Sequence, residues 1–298
     1  MGDYPKSISH ATRAHTQFCA ILGEEHTKTL CALHFLACAY YDNGDYRKAV
    51  ELFERAYLLR RCALGEEDAD TVISLSMLAR ACGTLGDYRR AVEFGERAYI
   101  FNSRLFGEEH EKTVMVLYVL AYNYSQMGNF EKASGLAENV YITRRFQLGE
   151  EHPLTLAALN SLVYAYNGLG KYTKAIELAT RMYELTVSVF GEDHECTARA
   201  LSMLSFCYCS VGEYQKALEL ALIANAGCCR AYGDADLRTA STLLRMGDAY
   251  AGLGLLREAR EVYERCRELR IAFLGTSHPE THEVEERLQK LGVSPQNA

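Results

Sequence analysis

A glycine returns every 42 residues along the 298-residue chain, at Gly23, Gly65, Gly107, Gly149, Gly191, Gly233 and Gly275. Each sits in a related segment: ILGEEH (21–26), ALGEED (63–68), LFGEEH (105–110), QLGEEH (147–152), VFGEDH (189–194), AYGDAD (231–236) and FLGTSH (273–278). A threonine follows at a fixed offset: Thr29, Thr71, Thr113, Thr155, Thr197, Thr239 and Thr281. A second marker keeps the same period, reading GDY at 2–4, 44–46 and 86–88, then GNF (128–130), GKY (170–172), GEY (212–214) and GLL (254–256). A strict period of this length points to stacked supersecondary units, each burying its apolar face against its neighbours.

Between the markers lie two amphipathic segments per repeat. The first, helix A, carries Leu33, Leu75, Leu117, Leu159, Leu201 and Leu243, then Leu36, Leu78, Leu120, Leu162, Leu204 and Met246 three residues on. Four further come Tyr40, Cys82, Tyr124, Tyr166, Tyr208 and Tyr250, a spacing that puts all three columns on one helical face. The second, helix B, carries Ala49, Ala91, Ala133, Ala175, Ala217 and Ala259. A small residue fixed in every repeat implies close approach of two backbones. The expected fold is all-α, an αα-hairpin solenoid of about 14 helices.

These residues resemble the tetratricopeptide repeat: L-x-x-L-(small)-x-x-Y in helix A, a G-D-Y turn, then alanine three residues beyond the turn's aromatic. The 42-residue length and the L-G-E-E-H-P-x-T connector are similar to the longer subfamily of kinesin light chains, found also in sensor arrays of some signalling NTPases. The resemblance covers essentially the whole chain and implies a right-handed superhelix. Where kinesin light chains read L-N-N-L-A, this chain reads LHFLA, LSMLA, LYVLA, LNSLV, LSMLS and LLRMG, so that family's cargo preferences do not transfer. The expected organisation is one solenoid over 1–293: helix B of a partial repeat at 5–21, six full repeats to 275, a capping helix at 279–291 and a tail at 294–298. Glu285, Glu286, Gln289 and Lys290 give the last helix a polar face suited to a cap and a monomer. Head-to-tail docking of that helix on the first helix B of another copy is the competing expectation.

Candidate chemistry dissolves on inspection. His26, His110, His152, His194 and His278 lie a repeat apart, too far to share an ion whose ligands must stand about 2–2.3 Å away. NGLGKYT (167–173) imitates a nucleotide loop, but Tyr172 stands where Ser or Thr is needed and Ala165 where glycine is needed. Asn123-Tyr124-Ser125 matches a glycosylation sequon inside a helix. The eleven cysteines form no CxxC pair, which reads as free thiols in a reducing compartment. No hydrophobic leader and no apolar run near 18 residues appear, and the net charge is −7 with dispersed Arg and Lys. The expectation is a cytoplasmic protein with no catalytic residues, no metal, no cofactor, and neither nucleic acid nor membrane as partner.

The connector itself reads as a joint. Gly149 is expected at a left-handed helix C-terminus, His152 as N-cap, Pro153 in the first turn and Thr155 within reach of that turn's free amides. Glu150 and Glu151, repeated along the chain, are expected to form an acidic rim that binds cations weakly. The variable stripe beside the core columns of helix A is then the candidate site: His34, Cys38, Tyr41, Ser76, Arg80, Tyr118, Tyr122, Asn160, Tyr164, Asn167, Arg199, Phe206, Arg245 and Asp248. Tyrosine and arginine supply large contact areas, so this wall suits an extended peptide or a partner helix. Arg80, Arg199 and Arg245 favour an acidic-aromatic peptide. The function expected is a protein-interaction scaffold; the alternative is a sensor or regulatory arm of a larger STAND-type signalling NTPase.

Overall fold

The structure, a computed structural model, describes residues 4–292, and fourteen α-helices and no strand occur among them. The chain divides into two compact units, Met1–Asn129 and Phe130–Ala298. The first unit holds α1 (Tyr4–Leu22), α2 (Thr27–Asp42), α3 (Tyr46–Leu64), α4 (Ala69–Leu85), α5 (Tyr88–Phe106) and α6 (Glu111–Gln126). The second holds α7 (Phe130–Leu148), α8 (Pro153–Gly168), α9 (Tyr172–Phe190), α10 (Glu195–Ser210), α11 (Tyr214–Tyr232), α12 (Leu237–Gly252), α13 (Leu256–Leu274) and α14 (Pro279–Gly292). Even-numbered helices are helix A and odd-numbered ones helix B. The tail at 294–298 lies outside the described residues.

Caps start each element where the sequence places a short polar side chain. The Nδ1 atom of His152 accepts from the Leu154 amide at 3.2 Å, and Asp68 does the same work in α4, accepting from Asp70 and Thr71. The aspartate of the GDY turn caps helix B: Asp45 accepts from the Lys48 amide at 3.1 Å and Asp87 from Arg90 at 3.3 Å. Lys171, Glu213 and Leu255 stand at that place in later repeats and make no side-chain cap.

The connector from helix B to helix A departs from the expected geometry in three ways. Gly107 has φ 95° and ψ 160°, an extended conformation that only glycine adopts readily, rather than the left-handed helical one. The left-handed form occurs in the other turn, at Gly86 (φ 88°, ψ 3°). The threonine hydroxyl does not turn to its own helix's amides. It donates back across the connector to the glycine carbonyl, as Thr113 does to Gly107 (2.7 Å), Thr155 to Gly149 (2.8 Å) and Thr197 to Gly191 (2.7 Å). That carbonyl lies beyond the end of helix B, where no intrahelical amide reaches it. Thr71 breaks the pattern, its hydroxyl buried without a partner. Third, part of the expected acidic rim is paired: Glu24 with Arg55, Glu66 with Arg97, Glu150 with Arg181 (3.3 Å), Glu67 with Arg104 (3.1 Å) and Asp193 with Arg230 (2.6 Å). Each couples a connector to the next helix B, and such exposed pairs contribute about 0–1 kcal/mol.

The helix-B alanine column is sealed: Ala49, Ala91, Ala133, Ala175, Ala217 and Ala259 are each 0% exposed. Close packing leaves little slack around it. A Cβ on Gly95 would stand 2.7 Å from Leu120 Cδ2, and one on Gly252 would stand 2.2 Å from the ring of Tyr214. The second contact gives the turn aromatic its role, since it covers the end of the next helix A. A further column holds Arg60, Asn102, Arg144, Thr186, Cys228 and Arg270 on helix B, all buried. Arg60 donates to the Asp70 carbonyl (2.8 Å), Arg144 to that of Leu154 (3.0 Å) and Arg270 to that of Glu280. These guanidinium groups tie helix B to the first turn of the next helix A.

The two glycine conformations make different demands. Asparagine tolerates the left-handed helical region, so Gly86→Asn should cost less than about 1 kcal/mol, whereas Gly107→Asn should cost roughly 1–3 kcal/mol. No atom lies within 4 Å of a Cβ placed on Gly107, so the cost there is one of backbone conformation. Urea midpoints of the two variants check this, and equal losses would refute the assignment.

Candidate functional site

In the first unit the stripe residues lie on α2, α4 and α6. His34 and Ser76, which share one position in successive repeats, turn toward helix B. His34 packs its ring edge-on against Phe53, with centroids 5.4 Å apart, and its Nδ1 lies 3.3 Å from Ser74 Oγ. Ser74 Oγ accepts from Arg60 (2.8 Å), so its own proton is free to go to His34 Nδ1. Burial, then the Arg60 charge, lower the His34 pKa to about 4, which keeps the imidazole neutral and an acceptor. Burial first, then Asp42, pushes the half-buried Cys38 thiol up to about 11, so it stays protonated.

Beside them the stripe opens. The Tyr41 hydroxyl is 2.9 Å from Thr84 Oγ1, and its ring carries the Arg80 guanidinium at 5.2 Å. Arg80 is exposed, and no carboxylate among the described residues forms an ion pair with it. Tyr122 is exposed and meets Tyr88 edge-on at 6.5 Å, while Tyr118 is half-buried. A cavity of about 330 Å³ opens between α4 and α6, with Ser76 and Arg80 in its lining.

The second unit arranges the same stripe differently. Tyr164 on α8 stacks on Phe206 of α10 (5.5 Å, planes 18° apart), and Arg245 of α12 covers Phe206 at 4.1 Å. Arg245 pairs with Asp248 (3.3 Å), which also accepts from Tyr263 (2.8 Å) and from Arg287 of α14 (2.7 Å). Arg287 and Arg270 both reach Glu283, at 3.1 and 3.0 Å. Burial alone raises the Glu283 carboxyl, but Arg287, Arg245 and Arg270 outweigh it and hold it below the carboxylate range. Burial and Asp248 push the Tyr263 phenol upward, so it remains a donor. Asn167 donates to Ser210 Oγ at 2.7 Å, while the amide oxygens of Asn160 and Asn167 are buried without donors. Arg199 is exposed on α10.

The structure thus groups Tyr41, Ser76 and Arg80 in one unit and Tyr164, Phe206, Arg245 and Asp248 in the other. Sequence reasoning missed Arg60, Asn102, Glu283 and Arg287. The first two stand in the helix-B column at one repeat's spacing, a readable signal. Asn123, the sequon residue, is 0% exposed on α6. Among the described residues no three His, Cys, Asp or Glu side chains cluster as metal ligands, no helix is long and apolar enough to cross a membrane, and all eleven cysteines are free.

Profiles described as tetratricopeptide repeat match residues 1–61, 44–99 and 154–222, and a second profile of the same description matches 239–280. The chain belongs to the tetratricopeptide repeat family. A putative kinesin light chain of Podosopora anserina, solved with nearly identical repeats of this type, is 28% identical; the match covers 70% of this chain and 98% of that one with a TM-score of 0.60. The kinesin-light-chain-like character read from the connectors is therefore present in a solved relative. Two more distant structures share the fold: the apo form of RapI (17% identity, 97% and 93% covered, TM-score 0.72) and NprR in complex with its cognate peptide NprX (14%, 97% and 82%, 0.67). No curated protein matches the chain.

In this repeat protein His34 makes stability pH-dependent. Its folded pKa of about 4 lies below the ordinary 6.5, so the unfolded chain takes up a proton that the folded chain refuses. Stability should therefore fall as pH drops through 6.5 and level off below about 4. Urea midpoints for wild type and His34→Gln across this window should diverge at neutral pH and converge in acid; parallel profiles would contradict the burial of a neutral imidazole.

Proposed function

We propose that this tetratricopeptide repeat protein is a non-catalytic, cytoplasmic interaction scaffold that holds an extended peptide or partner helix against the helix-A stripe. The observation that carries the reading is the contrast between two arginines. Arg245 is neutralised by Asp248 and covered by Phe206, whereas Arg80 stands over Tyr41 with no carboxylate partner. An unpaired guanidinium on α4 and the exposed Tyr122 on α6 together favour an acidic-aromatic ligand, and they favour the first unit as the place where that ligand is gripped. NprR, which shares the fold, was solved with a peptide bound, so the architecture is compatible with this use. No nucleophile, base and orienting acid stand together in the stripe, which supports a binding role over catalysis. The polar Glu285 and Gln289 on α14 support a capping helix and a monomer.

A fluorescence-anisotropy screen of acidic-aromatic 12-residue peptides tests the reading. Arg80→Ala and Tyr122→Ala should each weaken the best binder by roughly 1–3 kcal/mol. Arg199→Ala, on the exposed face of α10, should act less. Unchanged affinity in the first two variants, with circular dichroism intact, would remove the first unit's stripe from the account.

A further inference from the structure

The cavity between α4 and α6 has features that a peptide lying along the stripe does not use. Its walls are apolar: Ile73 and Met77 from α4, and Met115, Val116 and Val119 from α6. Its volume of about 330 Å³ falls in the range of small-molecule sites, which are concave, mostly apolar and oriented by a few polar groups. Two such groups are present here, of opposite hydrogen-bonding character.

The first is Asn102, which reaches the cavity from α5 and is only 1% exposed. Its Nδ2 donates to the Ala98 carbonyl (2.8 Å) and to Ser76 Oγ (3.0 Å). Ser76 has already given its own proton to the Val72 carbonyl (2.8 Å), so it cannot donate to Asn102 in return. Both Asn102 bonds use the amide nitrogen, so the amide oxygen Oδ1 remains an acceptor at the cavity wall open to a donor from a ligand. The second group is Arg80 at the rim, a cation without a carboxylate partner. Lys112 adds a second cation to the lining, its Nζ held 4.4 Å over the Phe106 ring, and Glu111 contributes the one carboxylate at the start of α6. The rim therefore carries one net positive charge.

We infer that this cavity is a binding site for a small amphipathic monocarboxylate carrying an N–H or O–H donor on its apolar body. The body fills the Ile73–Met77–Met115–Val119 walls, the donor satisfies Asn102 Oδ1, and the carboxylate pairs with Arg80. The inference goes beyond the peptide reading and stands without it. A free molecule enters the cavity whole, whereas a peptide meets only its mouth.

Three probes separate the contributions on the full chain by isothermal titration calorimetry. Indole-3-acetate has the ring, the N–H and the carboxylate; 1-naphthaleneacetate lacks the N–H; 3-methylindole lacks the carboxylate. Indole-3-acetate should bind saturably at one site, and each of the other two should bind about tenfold more weakly, a loss typical of one missing hydrogen bond or ion pair. Arg80→Gln, at an exposed position, should weaken the two acids about tenfold and leave 3-methylindole unchanged. Val119→Phe, which fills the cavity from a half-buried wall, should abolish all three. Absence of saturable binding by indole-3-acetate would overturn the proposal, as would equal affinities for all three probes or full retention in Val119→Phe. None of these outcomes bears on the peptide titrations, so the two readings fail separately.

Discussion

One hydrogen bond sets the geometry on which the repeats depend: the threonine hydroxyl that closes six of the seven connectors on the glycine carbonyl. Helix B ends at a glycine whose extended, positive-φ backbone turns the chain outward, and the threonine six residues on secures that turn from inside the next helix A. In α8 the bond is 2.8 Å, and Thr155 is fully buried. The same bond closes the connectors at Thr29, Thr113, Thr155, Thr197, Thr239 and Thr281, with Thr71 the exception. The histidine or aspartate cap, the glutamate–arginine pairs and the buried arginines add to a geometry that this bond already fixes.

A fixed frame frees the neighbouring stripe to vary, and the two units use that freedom in opposite ways. In the second unit the side chains satisfy one another: aromatic on aromatic, guanidinium on aromatic, and a carboxylate shared by Arg245, Arg287 and Tyr263. Of the stripe's cations there, Arg245 is engaged and Arg199 on α10 stays exposed. In the first unit the same stripe holds an unpaired cation, an exposed tyrosine and a cavity lined by the open amide oxygen of Asn102. Binding energy comes from groups whose needs are unmet in the free protein, which is why the proposed function places the ligand on the first unit.

The frame was legible in the sequence because it depends on residue type alone. An alanine at one place in every repeat has a single physical explanation, close approach, and the structure seals all six. The site was less legible because its meaning depends on partners. Arg80 and Arg245 are the same letter; what separates them is Asp248 three residues on and Arg287 contributed by another helix. His34 reads as a groove residue until Ser74 and Arg60 are seen to hold it as a neutral acceptor. The place of Thr155 in the joint is legible in the sequence but its partner is not, since the orientation of the Gly149 carbonyl is a property of backbone torsion. The Arg60–Asn102–Arg144–Arg270 column lay open to the same repeat alignment that revealed the alanines, and only its polarity disguised it as surface.

The central claim is that ligands are gripped on the helix-A face of the first unit. Hydrogen–deuterium exchange with and without a saturating acidic-aromatic peptide tests it most directly. The account predicts added protection in α4 and α6 around residues 73–80 and 115–122, with helix B of the same unit unchanged. Protection centred instead on α3 and α5, or on the connectors at 63–68 and 105–110, would contradict it.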